Sequence, residues 1–255
     1  MSHRIALGIP HAIWLPERRD SMAVLRSQLG YEEGTTASFR IDDTGVHDMI
    51  DVCEFTEKET NREWARRMWA WAVSTPADFF VTLNDDSRVA PNFWPVLRAM
   101  IQVLPRESIL GLAAQHPEGP ELYAAGFDWY RTHAWAVGWG YGMWVSDLAE
   151  FCQWELAQPD SRWEGKGEDS VINEWVVETD RECWHPLPSI VDHDTNLRTT
   201  YNSNDQHEFR EGSMSCVGME ADITLESPDH WRRNKSIPLR KVPVKRPGGK
   251  HAFGH

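Results

Sequence analysis

The chain has 255 residues with 39 acidic and 26 basic side chains, so its formal net charge is −13. That length suits one compact domain with a real hydrophobic core. A content of 41% apolar and 25% charged residues excludes a disordered or collagen-like chain. No apolar run approaches the roughly 20 residues that cross a bilayer, and the first ten residues lack the apolar stretch and cleavage site of a secretory signal.

The predicted elements alternate between apolar runs and helical patterns. Strand-like runs cover residues 5–9, 37–41, 78–83 and 108–113, and a further apolar run ends at 190–193. Helical patterns cover residues 20–29, 60–73, 91–103, 147–157 and 169–178. This alternation predicts an α/β domain over residues 1–230, with a mostly parallel sheet flanked by helices.

A basic, Pro- and Gly-rich tail is predicted to follow over residues 231–255. It carries eight Lys or Arg and no acid, whereas the preceding 230 residues carry 18 basic and 39 acidic side chains, a net charge of −21. The tail is either a solvated terminus that aids solubility or docks on its own acidic body, or a segment attracted to nucleic acid or an anionic membrane surface. Because Pro, Gly and basic residues dominate from residue 228 onward, we expect an extended segment there rather than core.

The four cysteines lie far apart, with no Cys-x-x-Cys pair. This spacing argues against a zinc knuckle or a disulfide scaffold and favours reduced thiols in the cytoplasm.

Two adjacent carboxylates, Asp85 and Asp86, follow the apolar run at 78–83. In open α/β sheets, ligands bind beyond the carboxyl ends of the strands. Oxygen ligands at this place suit a hard divalent cation, Mg²⁺ or Mn²⁺, which would neutralise a substrate diphosphate. An ordinary Asp turn or helix cap explains the same residues.

Two later motifs also carry candidate chemistry. Residues 165–169 read Gly-Lys-Gly-Glu-Asp and open a helix, so that Asp169 suits a general base acting on a hydroxyl. The alternative is a helix cap. His193 follows an apolar run and suits a metal ligand as neutral imidazole, or is an ordinary structural histidine.

These motifs, in this order, resemble the GT-A glycosyltransferases over roughly residues 5–200. Residues 83–86, Leu-Asn-Asp-Asp, look like the DXD metal motif of that family. Residues 167–169, Gly-Glu-Asp, look like its xED motif, and His193 looks like its C-terminal histidine. The resemblance implies a GT-A-like, Rossmann-type fold and a nucleotide-sugar donor.

The resemblance also implies roles for single residues. Asp86 and His193 would hold Mn²⁺ or Mg²⁺, Asp85 would lie near the donor sugar or ribose, and Asp169 would be the base of an inverting reaction. Asn84 departs from the pattern, since many relatives carry an acid there, and this bears on metal affinity.

Further donor contacts are expected in two segments. Residues 10–19 follow the first strand, where the family holds its nucleotide, and arginine there suits bidentate phosphate contact, although a surface Arg pair is the alternative. Residues 135–144 are rich in aromatic side chains and glycine, so they would either shape the sugar pocket or form a core strand. The predicted donor contacts are Pro10, Arg18, Arg19, Asp42, Asp85, Trp139, Gly140, Tyr141 and Glu168.

The implied reaction is hexosyl or pentosyl transfer from a nucleotide sugar to a hydroxyl. The acceptor is either a glycan or lipid-linked saccharide, or DNA with hydroxymethylated bases as in phage-type DNA modification, which would place the enzyme in the host cytoplasm. Two other classes stay open. The carboxylates also suit a metal-dependent hydrolase or nuclease, and the 14 Trp suit a non-catalytic carbohydrate-binding module.

Overall fold

The structure, a computed structural model, describes residues 3–33, 38–43, 46–133, 139–194, 197, 214–217, 225, 228–233 and 235–239. The helices are α1 (Pro16–Leu29), α2 (Asn61–Ser74), α3 (Phe93–Val103), α4 (Gly119–Ala124), α5 (Val145–Leu156) and α6 (Glu168–Glu178). The strands are β1 (Arg4–Pro10), β2 (Ser38–Asp43), β3 (Val46–Phe55), β4 (Phe79–Leu83), β5 (Ser87–Val89), β6 (Ser108–Gly111), β7 (Trp129–Thr132), β8 (Gly140–Trp144), β9 (Glu182–Pro186), β10 (Val191–His193) and β11 (Ser236–Pro238). Short 3₁₀ turns cover Asp160–Trp163 and Pro228–Arg233.

Nine of the described strands form one sheet in the order β11-β7-β9-β6-β8-β4-β1-β3-β2. Four neighbouring pairs are parallel (β1 with β3 and β4, β6 with β9, β7 with β11) and the other four are antiparallel. The predicted α/β class is therefore confirmed, and the sheet itself is mixed. Strands β5 and β10 form a separate antiparallel pair beside it.

Two apolar layers cover the faces of the sheet. Successive side chains of β1 point to opposite faces of the sheet. Leu7 lies in the layer under α1 and α3, and Ala6 lies in the layer under α2, α5 and α6. Helix α2 shows how the sequence builds such a layer, because Met68 and Ala72 are spaced four apart and both are fully buried. Among the described helices, none has the length and apolar composition of a membrane span.

Several elements differ from the sequence prediction, and helix α1 and strand β3 show why. Helix α1 begins at Pro16 rather than at residue 20, because proline fits the first turn of a helix, where its missing N–H is not needed. The sequence does not predict strand β3, because its acids recur at every third residue (48, 51 and 54) with apolar pairs between them, instead of alternating with apolar residues. Ile50 and Val52 are buried, while Asp51 between them pairs with Arg4 at 2.6 Å.

The first residues of the predicted tail pack on the body of the protein. Trp231 is 1% exposed, and its carbonyl oxygen accepts a hydrogen bond from Trp129 Nε1 at 3.0 Å. Strand β11 then pairs with β7 at the edge of the sheet. The described residues up to 239 thus pack on the body instead of forming an extended tail, because the Trp231 ring adds apolar area to the core. Residues 240–255 lie outside the described residues.

Candidate active site

The loops after β1 and β4 meet at one edge of the sheet. The two strands are parallel neighbours, with Gly8 opposite Thr82, so their carboxyl ends lie side by side. The Ala12 N–H donates a hydrogen bond of 2.8 Å to Asp85 Oδ2. The predicted donor loop and the predicted acidic motif are therefore in direct contact.

Arg18 connects this loop to both acids of the motif. Because α1 begins at Pro16, the Arg18 side chain in its first turn reaches inward and is only 3% exposed. Arg18 Nη1 lies 2.7 Å from Asp85 Oδ1 and 2.6 Å from Asp86 Oδ2. One guanidinium thus bridges two neighbouring carboxylates, both of which are buried.

The charges of this cluster depend on one another. Burial raises the pKa of Asp85, and so does the neighbouring Asp86 carboxylate, while the Arg18 guanidinium opposes both. Burial by itself would lower the pKa of Arg18, but the carboxylates of Asp86 and Asp85 raise it above its usual value. The guanidinium therefore stays charged. Asp86 Oδ1 is buried and has no hydrogen-bond partner among the described residues.

His193 is brought beside Asp86 by the small second sheet. Ser87 of β5 lies opposite His193 of β10, and the Asp194 N–H donates a 2.9 Å hydrogen bond to the Asp86 carbonyl oxygen. The half-buried Trp139 packs on the same histidine, with 4.3 Å between the ring centroids. The structure therefore brings together the predicted site residues Asp86, His193 and Trp139.

Glu168 and Asp169 form a second acidic group at the start of α6. Asp169 Oδ1 accepts a 2.7 Å hydrogen bond from the Ser170 N–H. Burial, and then the adjacent Asp169 carboxylate, raises the pKa of Glu168 to about 8. Burial also raises the pKa of Asp169. Such shifts occur where carboxyl groups are held for acid–base chemistry, although structural pairs show them too.

Tyr141 shows where this second acidic group lies. Its pKa is raised well above the usual value by burial, and then by the nearby carboxylates of Glu168 and Asp169. Tyr141 is the second residue of β8, whose first residue, Gly140, pairs with Leu83 at the carboxyl end of β4. Glu168 and Asp169 therefore lie near the Tyr141 side chain, on the α6 side of β8.

The remaining predicted donor contacts lie in different parts of the structure. Asp42 lies opposite His47 on β3, whereas Pro10 lies opposite Phe55, eight residues further along that strand. Eight residues of strand span about 26 Å, so Asp42 is at the opposite edge of the sheet, and its side chain is outside the described ones. Pro10 ends β1 beside the acidic motif, and Arg19 is exposed on α1.

Tyr141 and Gly140 serve the core rather than a sugar pocket. The Tyr141 ring is 1% exposed, lies 6.1 Å from the Phe80 ring centroid, and its hydroxyl accepts a 3.0 Å hydrogen bond from Trp69 Nε1. Gly140 has φ of +152°, and a Cβ there would lie 3.0 Å from Leu83 Cδ2. Neither residue therefore offers the surface for a donor sugar that was expected from the sequence. Residues 134–138 lie outside the described residues.

A buried cluster at the same edge was not predicted. Glu54, at the end of β3, accepts hydrogen bonds from Arg26 Nε at 2.8 Å and Arg26 Nη2 at 2.6 Å, and from the Tyr31 hydroxyl at 3.1 Å. His11 Nδ1 lies 3.5 Å from Glu54, and His11 Nε2 has no hydrogen-bond partner among the described residues. Burial would raise the pKa of Glu54, but Arg26 and His11 lower it to about 2. The sequence gives little signal for this position, because the acids of β3 recur at every third residue instead of alternating with apolar ones.

The described residues do not complete a metal site. Among them, no group of three or more His, Cys, Asp or Glu side chains is placed to hold a metal ion. Asp86 Oδ2 is already paired with Arg18, and Asn84 offers no charge. With Arg18 in place, this donor set does not fit a divalent cation. Metal binding by Asp86 and His193 stays a prediction from the sequence.

No profile of a known protein family matches the chain, and no curated protein matches it. Three solved structures are similar over most of the chain. A glycosyltransferase involved in the glycosylation of the major capsid of PBCV-1 has 12% identity and a TM-score of 0.39, covering 81% of this chain and 98% of that one.

A nucleoside-diphosphate-sugar pyrophosphorylase from Vibrio cholerae RC9 has 13% identity and a TM-score of 0.32, covering 74% of this chain and 75% of that one. The inositol-1-phosphate CTP transferase from T. maritima has 12% identity and a TM-score of 0.35, covering 84% and 98%. With TM-scores below 0.5, these likenesses establish no activity for this chain.

Proposed function

We propose that the chain transfers a glycosyl group from a nucleotide-sugar donor to an acceptor hydroxyl. The observation that carries this proposal is the buried cluster of Arg18, Asp85 and Asp86 at the carboxyl edge of β1 and β4. Asp86 Oδ1 is buried there without a hydrogen-bond partner among the described residues. A buried acceptor atom without a partner is rare in proteins and favours a ligand that donates to it.

In this proposal, Asp86 Oδ1 accepts a hydrogen bond from a hydroxyl of the donor sugar. The half-buried Trp139, held against His193, offers an apolar face to the sugar ring. Arg19 is exposed in the first turn of α1 and suits contact with the diphosphate. The donor would thus lie across the loops after β1 and β4.

Asp169 is the proposed base. It takes the proton of the acceptor hydroxyl while the acceptor oxygen bonds to the anomeric carbon, and the bond from that carbon to the diphosphate oxygen breaks. Attack from the side opposite the leaving group inverts the anomeric centre. The raised pKa of Glu168 supports this assignment, because a protonated Glu168 leaves the negative charge of the pair on Asp169.

The acceptor is one of the two classes that the sequence analysis named. A glycan or lipid-linked saccharide needs only local contacts, whereas hydroxymethylated DNA needs positive charge against an acidic body. That charge lies mostly in residues 240–255, outside the described residues. Assays with both acceptor classes separate them, and the binding of DNA is expected to weaken steeply with salt.

The test combines a panel of nucleotide sugars with one substitution. We expect one donor to give transfer product, and Asp169→Asn to lower kcat by about 10²–10⁴-fold with donor affinity retained. Glu121→Gln, an exposed acid on α4, is the matched control and should behave as wild type. Full turnover by Asp169→Asn would refute its role as base. Hydrolysis of a substrate without any nucleotide sugar would favour the hydrolase class instead.

A further inference from the structure

The position of Arg18 bears on how the site balances negative charge. Arg18 Nη1 is within 2.7 Å of one carboxylate and 2.6 Å of the next, and these are the two acids of the motif that the sequence analysis assigned to a divalent cation. All three side chains are more than nine-tenths buried, with side-chain exposures of 4%, 6% and 8% for Arg18, Asp85 and Asp86. A guanidinium suits such a buried contact, because it stays charged and carries several N–H donors in a fixed plane.

Placing a divalent cation on the same carboxylates would set it against a fixed positive charge. Asp85 has no oxygen left over, since Oδ1 is paired with Arg18 and Oδ2 accepts from the Ala12 N–H. Removing two carboxylates from water requires compensation, and Arg18 supplies one full positive charge. The cluster keeps a net charge of −1, centred on Asp86.

We propose that Arg18 is the resident cation of this site, so that the donor nucleotide binds without a divalent metal. This inference rests on the proposed function, in that it concerns how the same donor site is charged. Arg18 acts as a positioning residue. It pairs with Asp85 and Asp86 and fixes their positions, with Asp86 Oδ1 facing the donor.

The first experiment measures binding of UDP, GDP, ADP, CDP and dTDP to the full chain by calorimetry, in EDTA and in Mn²⁺. We expect at least one of them to bind with dissociation constants that agree within about threefold in the two conditions. Binding that is at least tenfold tighter in Mn²⁺ would overturn this inference and leave the proposed function standing. If none of the five binds in either condition, the proposed function fails and this role of Arg18 fails with it.

The second experiment uses Mn²⁺ alone, followed by electron paramagnetic resonance. In wild type we expect no Mn²⁺ signal that disappears in the Asp86→Asn variant. Arg18→Met leaves both carboxylates uncompensated and should gain such a site, which Arg18→Met/Asp86→Asn should lose again. A Mn²⁺ site that is present in wild type and removed by Asp86→Asn would overturn the inference.

Thermal stability reports on the same charge and identifies a variant that fails to fold. Removing one partner of a buried pair should lower the Tm of Arg18→Met by about 10 °C, and Mn²⁺ should restore part of that loss. Arg232→Met breaks an exposed pair with Asp229 and should change Tm by no more than about 2 °C. If Arg18→Met does not fold, Arg18→Lys keeps the charge and should bind no Mn²⁺. Saturable binding by that variant would contradict the proposal.

Discussion

At the scale of single residues, Glu168 gives the protein a pH dependence that an exposed glutamate would not. Burial and the neighbouring Asp169 raise its pKa to about 8 in the folded state, against an ordinary value near 4.3 in an unfolded chain. Between these values the folded protein binds more protons than the unfolded one. The contribution of Glu168 to the stability of the folded state therefore falls as the pH rises from about 4.5 to about 8.

Glu168→Gln removes this titration. We expect the free energy of unfolding of the variant, relative to wild type, to increase by about 1 kcal/mol or more between about pH 5 and about pH 8. Urea unfolding at the two pH values measures the difference. Glu121→Gln, exposed on α4, should show no such trend, and a parallel pH dependence of Glu168→Gln and wild type would contradict the burial argument.

The sequence misplaced Asp42 and missed Glu54, because the direction of the strands decides where these two acids lie. Asp42 is expected just after the predicted strand at 37–41 but lies within β2, and the antiparallel pairing of β2 with β3 puts it at the edge away from Asp85. Glu54 takes the place at the carboxyl edge of β3. Strand direction decides which edge an acid reaches, and a single strand's pattern does not contain it.

At the scale of elements, α2 begins at a boundary that the sequence specifies by itself. Thr60 Oγ1 accepts a hydrogen bond from the Glu63 N–H, and Glu63 Oε2 accepts one from the Thr60 N–H at 3.0 Å. This capping box gives hydrogen-bond acceptors to two backbone N–H groups at the first turn, those of Thr60 and Glu63. The helix was predicted from residue 60 because its start and its apolar stripe are both local features.

Thr60→Ala should lower the free energy of unfolding by about 1 kcal/mol, because the cap loses its side-chain acceptor. Thr60→Ser keeps the hydroxyl and should stay within a few tenths of a kcal/mol of wild type. Chemical denaturation of the three proteins under one condition measures both values. Equal stability of the Ala and Ser variants would show that the cap contributes nothing.

At the scale of the whole molecule, β8 lies between β4 and β6 near the middle of the sheet and separates the two apolar layers. Gly142 lets the strands approach there, because a Cβ at this position would lie 2.6 Å from Phe79 Cε1 and 2.9 Å from the Phe80 carbonyl oxygen. The backbone oxygen cannot move without shifting β4. The spacing of the sheet beneath the site thus depends on this glycine.

Gly142→Ala should therefore destabilise the protein by about 2–3 kcal/mol through overpacking, visible as a lower midpoint of urea unfolding. Ser27→Ala on the exposed side of α1 should stay within about 0.5 kcal/mol of wild type. An unchanged midpoint for Gly142→Ala would mean that the sheet adapts without cost.

The tryptophan content also has its explanation at this scale. Trp69, Trp129, Trp175 and Trp231 are at most 2% exposed and fill the two layers. Much of the large aromatic content is thus core packing, which weakens the argument for a carbohydrate-binding module. Trp139 remains the aromatic side chain that lies beside the acidic motif and His193.

The sequence does not predict strands β3, β7 and β9. Periodicity and local punctuation were enough to predict β1, β2, β4 and β6 and the helices α1, α2, α3, α5 and α6, and to predict that acids follow β4 and open α6. These features depend on residues a few positions apart. The tertiary structure alone decided that Arg18, 67 residues away in the chain, pairs with Asp85, that Glu54 and His11 join the same edge, and that Asp42 does not. Such contacts follow from the order and direction of strands, which arise from packing of the whole chain.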